Sequence, residues 1–368
     1  MKKNEILKVY GPDYKNMTKQ LLETANLIDE IQDKNCKVGI KPNLVAPTPA
    51  FLGATTHPEI VEGIIEYLKE HQVEDITIME GSWVGDTTQD SFDVCGYFDL
   101  ANRTGVKLVD LQKDSHHTES IEGLDLEICD TIRSIDFFIN VPVVKGHCQT
   151  KITCALKNMK GLLPNTEKRH FHSMGLHMPI CYLNRLVKQD FIVVDHICGD
   201  LDFEDGGNPV EKNCIMAAKN PVVVDNYVCK LLGYDTKDVE YVDMSIKMLE
   251  EKNLIGDTKV WKLEGNDLVE DDEAILDIHR KVVDIQDMVN EVDSCSACYG
   301  TLIPALDELR EGGLLKDFVE TIHIGQGYRG KCGKIGVGNC TRNFDFSVPG
   351  CPPSKEEIIE ALRKYIGK

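Results

Sequence analysis

The sequence predicts an α/β fold, a mainly parallel sheet covered by helices, followed by a small C-terminal α+β domain rich in cysteine. Strand-like and helix-like segments alternate from residue 36 to 250. The strand-like segments are runs of Val, Ile and Phe, mostly without polar alternation, which is the pattern of strands buried on both faces. Five cysteines then crowd between Cys295 and Cys351, against nine in the whole of the chain before them.

In order, the expected strands are CKVGIK (36–41), DITIME (75–80), VKLVDL (106–111), DFFINVPVVK (136–145), DFIVVDH (190–196) and PVVVD (221–225). The clearest helix between them is THPEIVEGIIEYLKEH, where Thr56 and Glu59 make a capping box and Pro58 sits in the first turn. A second helix is expected from about Thr150 to Gly161. An acidic run, VEDDEAILDIHRKVVD (269–284), closes this part, so residues 1–285 are expected to form the α/β domain and 286–368 the cysteine-rich one. In the tail, Cys295 and Cys298 open a helix through LIPALDELRE, and Ser354 with Glu357 caps another. No internal repeat is evident.

The net charge of −20 argues against binding nucleic acid or an anionic membrane. The first residues, MKKNEILKVYGPDYKN, lack the apolar stretch of a signal peptide, and no run of eighteen apolar residues follows. A cytoplasmic protein is expected, with its fourteen cysteines mostly as thiols.

Within so acidic a chain, KGHCQTKITCALKNMKGLLPNTEKRHFH (145–172) gathers Lys145, Lys151, Lys157, Lys160, Lys168 and Arg169 against one acid, Glu167. Ligands of open parallel sheets bind beyond the carboxyl ends of the strands. Lys41 and Asn43, Glu80, Lys145 and His147, Asp195 and His196, and Asp225 all fall at such expected ends. Lys157 and Lys160 share a helical face, and a lysine supplies point charge to a phosphate or carboxylate. The expected site therefore binds a small anion through Lys41, Asn43, Lys145, Lys157, Asn158, Lys160 and His172. His147, His170, Glu80 and Asp195 are its candidates for proton transfer. His147, His170 and His172 with Glu80 or Asp195 would also suit an open Zn, Fe or Ni site, or be ordinary polar residues; no HExxH spacing is present. No GxGxxG follows the first strand and no GxxxxGK[ST] occurs, so nothing points to nicotinamide, flavin or nucleoside triphosphate.

The tail reads CSAC, GKCGKIGVGNC and VPGCPP. Four thiolates in two equal pairs would suit zinc. Here one CxxC is followed by unevenly spaced cysteines in glycine-rich loops, which favours a [4Fe–4S] cluster on Cys295, Cys298, Cys340 and Cys351. Cys332 is the spare, able to replace one of them.

At KPN (41–43), KGH (145–147), ALKNMKGLLP (155–164) and the following His170, the chain resembles the DUF362 family over about residues 36–250. Members of that family often carry ferredoxin-like CxxCxxC clusters. This chain departs from them with a single CxxC, then GNC and PGCPP, which leaves one cluster; PGCPP is similar to a cluster-binding segment in the small subunits of NADH dehydrogenases and hydrogenases. The function expected is an iron–sulfur redox enzyme acting on a small anionic substrate or cofactor, with a redox partner protein. The alternatives are an electron-transfer or cluster-bearing partner without its own catalysis, and a non-redox lyase or isomerase with a structural cluster.

Overall fold

The computed structural model describes residues 1–204, 208–248, 252–271, 281–316 and 318–367. In chain order its strands are β1 (Glu5–Tyr10), β2 (Val38–Pro42), β3 (Ile76–Glu80), β4 (Lys107–Asp110), β5 (His116–Ile121), β6 (Leu124–Cys129), β7 (Phe137–Val141), β8 (Lys145–His147) and β9 (Lys151–Thr153). There follow β10 (Phe191–Asp200), β11 (Pro209–Ala218), β12 (Lys259–Glu264), β13 (Asp267–Glu270), β14 (Val289–Glu291), β15 (Ile322–Ile324), β16 (Ile335–Val337) and β17 (Phe346–Val348).

Nine strands form one sheet in the order β13-β12-β1-β11-β10-β7-β2-β3-β4. The block β10, β7, β2, β3, β4 is parallel throughout. Strand β11 runs antiparallel between β10 and β1. Alternate side chains of β10 feed opposite cores: Ile192 and Val194 pack with the helices Asn165–Ser173, His177–Leu186 and Pro221–Leu231, whereas Phe191 and Val193 pack with Tyr14–Ala25 and Pro58–Glu70. Two apolar faces explain the unbroken Val and Ile runs.

Two local expectations fail. PVVVD is not a strand but the first turn of the helix Pro221–Leu231, because the Asn220 side chain accepts from the N–H groups of Val222 and Val223 and Pro221 is preset for a first turn. Thr56 does not cap the helix Pro58–Glu70, which starts after His57. Its hydroxyl instead accepts from Asn43 N and donates to Val141 O, both at 2.8 Å, tying β2 to β7. The acidic run 269–284 falls largely on residues 272–280, outside the described residues.

The C-terminal part has its own four-stranded sheet, β14-β15-β16-β17, parallel throughout, and its own core with the helices Ser296–Glu311 and Lys355–Ile366. The Ser354–Glu357 capping box is present. Ile322–Arg329 (IHIGQGYR) and Ile335–Arg342 (IGVGNCTR) prove to be successive turns of one repeat, each a strand followed by a glycine at positive φ, Gly325 and Gly338. Among the described residues, no helix is long and apolar enough to cross a membrane.

Candidate functional site

The carboxyl ends of β2 and β3 meet the segment 145–172 around a cavity of about 90 Å³. At roughly 10–15 Å³ per water, that is room for several waters or one small anion. Among the described residues its walls include Lys41, Lys157, Lys160 and Lys168 but only two acids, Glu80 and Glu204.

Two glycines let the basic segment come this close. A Cβ on Gly161 would lie 2.1 Å from Glu80 Oε1 and 2.5 Å from Lys41 Nζ. A Cβ on Gly146 would lie 2.3 Å from the Leu201 carbonyl oxygen. The expected helix over 150–161 is accordingly shorter: strand β9, one turn of helix at Ala155–Asn158, then a tighter turn at Met159–Leu162. Asp225, expected at a strand end, instead caps that turn by accepting from Ala155 N (2.8 Å) and Leu156 N (3.1 Å); burial pushes its carboxyl up to about 7.

The floor of the cavity is a buried polar network. Lys41 Nζ donates to Glu80 Oε2 (2.9 Å) and Asn158 Oδ1 (3.1 Å). Glu80 is held further by Leu44 N and Gly81 N. Asn43 donates to Asn158 Oδ1 at 2.9 Å and accepts from Lys145 Nζ at 3.0 Å. On one wall Glu204 faces Lys145, Lys157 and His147, at 3.7, 3.5 and 3.1 Å. Burial alone would raise the Glu204 carboxyl, but Lys157, His147 and Lys145 hold it well below the ordinary range. His147 Nδ1 accepts from Gln149 N and Thr150 N, so in the neutral ring Nε2 bears the proton and donates to Glu204. Burial, reinforced by Lys157, brings His147 down to about 4.

The opposite wall is short of negative charge. Lys168 donates to the carbonyls of Gly81 and Ser82, and Lys160 stands 3.4 Å from His172 Nε2. Among the described residues neither lysine has a carboxylate within 4 Å. Burial lowers Lys157 and Lys168 to about 8 and Lys160, with Lys157 beside it, to about 7. His172 falls well below its ordinary value for the same reasons.

Four expected members do not line the cavity. Lys145 and His147 stand behind its wall, paired with Glu204, and the other two are elsewhere. His170 is exposed and paired with Glu167 (3.3 Å), outside the cavity walls. Asp195 is buried with His57, a residue the sequence reading passed over, accepting from its backbone N and facing its Nδ1 at 2.8 Å. The three histidines therefore do not converge, and both nitrogens of His147 are engaged. Lys168 lay in the basic run without being assigned; Glu204 and Trp83 carried no sequence signal, because each sits in a loop whose path depends on the sheet.

The cysteine-bearing part meets the cavity through the CxxC, and Cys340 and Cys351 line a separate surface cleft. In-register strands put Glu291, Ile324, Val337 and Val348 in one row. Cys295, Cys340 and Cys351 therefore leave the same end of the small sheet, three or four residues beyond that row. Asn339 N donates to Gly350 O (2.8 Å) and its side chain accepts from Gly350 N (3.0 Å), joining the GNC and PGC loops. A hydrogen bond from the Cys298 thiol lowers Cys295 against the effect of burial, and the charges of Cys351 and Cys340 reach Cys298. Cys332 is exposed and takes no part in these interactions. Among the described residues no three His, Cys, Asp or Glu side chains already stand at metal-holding distances. Ala297, inside the CxxC, lines the lysine cavity, and the Cys295 charge acts on Lys160.

A mainly parallel α/β sheet with a cation-lined cavity at its strand ends, abutted by a small sheet whose loops carry cysteines, defines the class of protein. The chain belongs to the DUF362 family: residues 38–230 match that domain of unknown function. Thylakoid-associated protein sll1697 of Synechocystis is 24% identical over 152 residues, which are 41% of this chain and 47% of that protein. The chain thus spans about half the length of that curated relative. Among solved structures, the lactate racemase apoprotein of Thermoanaerobacterium thermosaccharolyticum superposes with a TM-score of 0.41 at 14% identity, over 63% of this chain and 57% of that one. A Thermotoga maritima protein from structural genomics gives 0.39 at 11%, over 65% and 60%.

Proposed function

We propose that this protein is an iron–sulfur redox enzyme that binds a small anionic substrate or cofactor in the lysine cavity and exchanges electrons with it through the adjoining cysteines. The observation that carries the reading is the shared wall: Ala297 lies between Cys295 and Cys298 and also lines the cavity. Cys295, Cys298, Cys340 and Cys351 would hold the cluster. Their row at one sheet end, the lowered Cys295 thiol and the glycine loops support the fit; a Cβ on Gly338 would stand only 3.4 Å from Cys298 Sγ. A [4Fe–4S] cluster, when bound, supplies one-electron chemistry. Cys340 and Cys351, with Arg329 and Arg342, line a surface cleft where a partner protein would deliver or collect electrons.

The chain's own residues do the rest. Lys157, Lys160 and Lys168 neutralise the anion, and the Lys41–Glu80–Asn158–Asn43 network holds the floor rigid. Lys160, titrating near 7 beside His172, is suited to hand a proton to the bound ligand or take one back. A pure electron carrier has no use for so many buried lysines, each of which costs solvation.

Anaerobic purification, iron and acid-labile sulfide assays, and electron paramagnetic resonance before and after dithionite test the cluster. About four irons and four sulfides per chain with a reducible signal are expected; stoichiometric zinc without sulfide refutes the cluster. A thermal-shift titration with sulfate, phosphate and acetate tests the cavity independently, since a ligand that binds only the folded state raises Tm with concentration.

A further inference from the structure

Beside the lysine cavity lies a second one of about 240 Å³, and the two share Val45, Trp83 and Glu204. Their chemistry differs. The first is lined by four lysines, whereas the second has Lys355 alone, with Trp83, Ala46, Phe203 and Pro304 in its wall. At its rim Lys355 is already paired with Glu308 at 3.1 Å.

The indole at the junction is held in place. Trp83 Nε1 donates to the Asp86 carboxylate, and the Gln112 amide donates to the carbonyls of Ser82, Trp83 and Asp86, at 3.2, 3.2 and 3.0 Å. A Cβ on Gly300 would stand 3.4 Å from Trp83 Cζ3, so the ring lies across a bare stretch of the helix Ser296–Glu311. A bare inorganic anion would fill the lysine cavity and leave these apolar walls in water, forgoing their burial. A ligand with one acidic group and a flat apolar body would fill both.

Resting on the proposed anion site, we infer that the substrate is an aromatic or similarly flat organic acid, its acidic group among Lys157, Lys160 and Lys168 and its ring against Trp83. Trp83 is then the residue that sets specificity. The wall is pre-formed, so the stacking energy is not spent on ordering it.

The chain has two tryptophans, so Trp261→Phe leaves Trp83 as the sole reporter. In that background benzoate and phenyl phosphate should quench Trp83 fluorescence saturably. They should bind about tenfold tighter than acetate and inorganic phosphate respectively, measured by calorimetry. Trp83→Ala should erase that difference. Gly300→Leu, which fills the slot from the other side, should do the same if Trp83→Ala folds poorly. If acetate and phosphate bind but the ring-bearing acids bind no tighter, this inference is overturned and the anion site stands. If none of the four binds, the anion site itself falls, and the inference with it.

Discussion

Replacing Lys160 with Met removes from the cavity wall a cation that has no carboxylate within 4 Å among the described residues. Burial, with Lys157 beside it, brings this ammonium from its ordinary 10.5 down to about 7. In the free protein, half the molecules then carry a proton on Lys160 at pH 7 and about one in a hundred at pH 9. An anion that needs the ammonium must take up that proton on binding, so through this residue alone its affinity falls about fifty-fold between those pH values. The sign is fixed by the lowered pKa: the site is ready below about 7 and is lost above it. Stability of the free protein moves the other way, because between 7 and 10.5 the unfolded chain binds the proton that the folded one has released. Lys157 and Lys168, near 8, add about tenfold each over the same span. Calorimetric titration with sulfate from pH 6 to 9, at constant ionic strength and in buffers of different ionisation enthalpy, reads both affinity and proton uptake. Lys160→Met should bind more weakly at pH 6 and lose the fifty-fold component, with nearly one proton fewer taken up near pH 8.5. A variant whose pH profile runs parallel to that of wild type would refute the reasoning.

Cys298→Ser should strip most of the iron and sulfide, whereas Cys332→Ser should retain them; equal loss from both would remove Cys332 from its place as the spare. Gly146→Ala puts a Cβ 2.3 Å from the Leu201 carbonyl oxygen, so the backbone must shift. A loss of about 1–3 kcal/mol is expected in urea unfolding, and an unchanged midpoint would show that the close approach is not needed. Glu204→Gln leaves Lys145, Lys157 and His147 around a neutral group, at a cost of about 3–5 kcal/mol. Sulfate should restore more of the lost Tm than it adds to wild type, because it replaces the missing charge; sodium chloride at equal ionic strength should not.

The parallel block was legible because strands buried on both faces are mostly apolar on both, and β2, β3, β7 and β10 are buried along their length, whereas β4 at the sheet edge is not. Strand β11, half polar where it leaves the core, gave no such signal, and the valines of 221–224 gave a false one because a local cap outweighed their strand preference. The sequence also determined the cavity's chemistry: lysines and asparagines at strand ends, and glycines that only a close approach requires. Which of them face one space is a tertiary matter. Lys157 and Lys160 reach the cavity through a turn much shorter than the helix their spacing predicted, and His170, on the same segment, turns out to solvent. Glu204 joins the cavity because β10 carries the chain several residues past Asp195, farther than its apolar run indicates. Cys295, Cys340 and Cys351 are far apart and unevenly spaced along the chain, but parallel strands in register deliver their loops to one end of a sheet. That convergence follows from strand register, which is set by packing between distant segments, so no local pattern could have carried it.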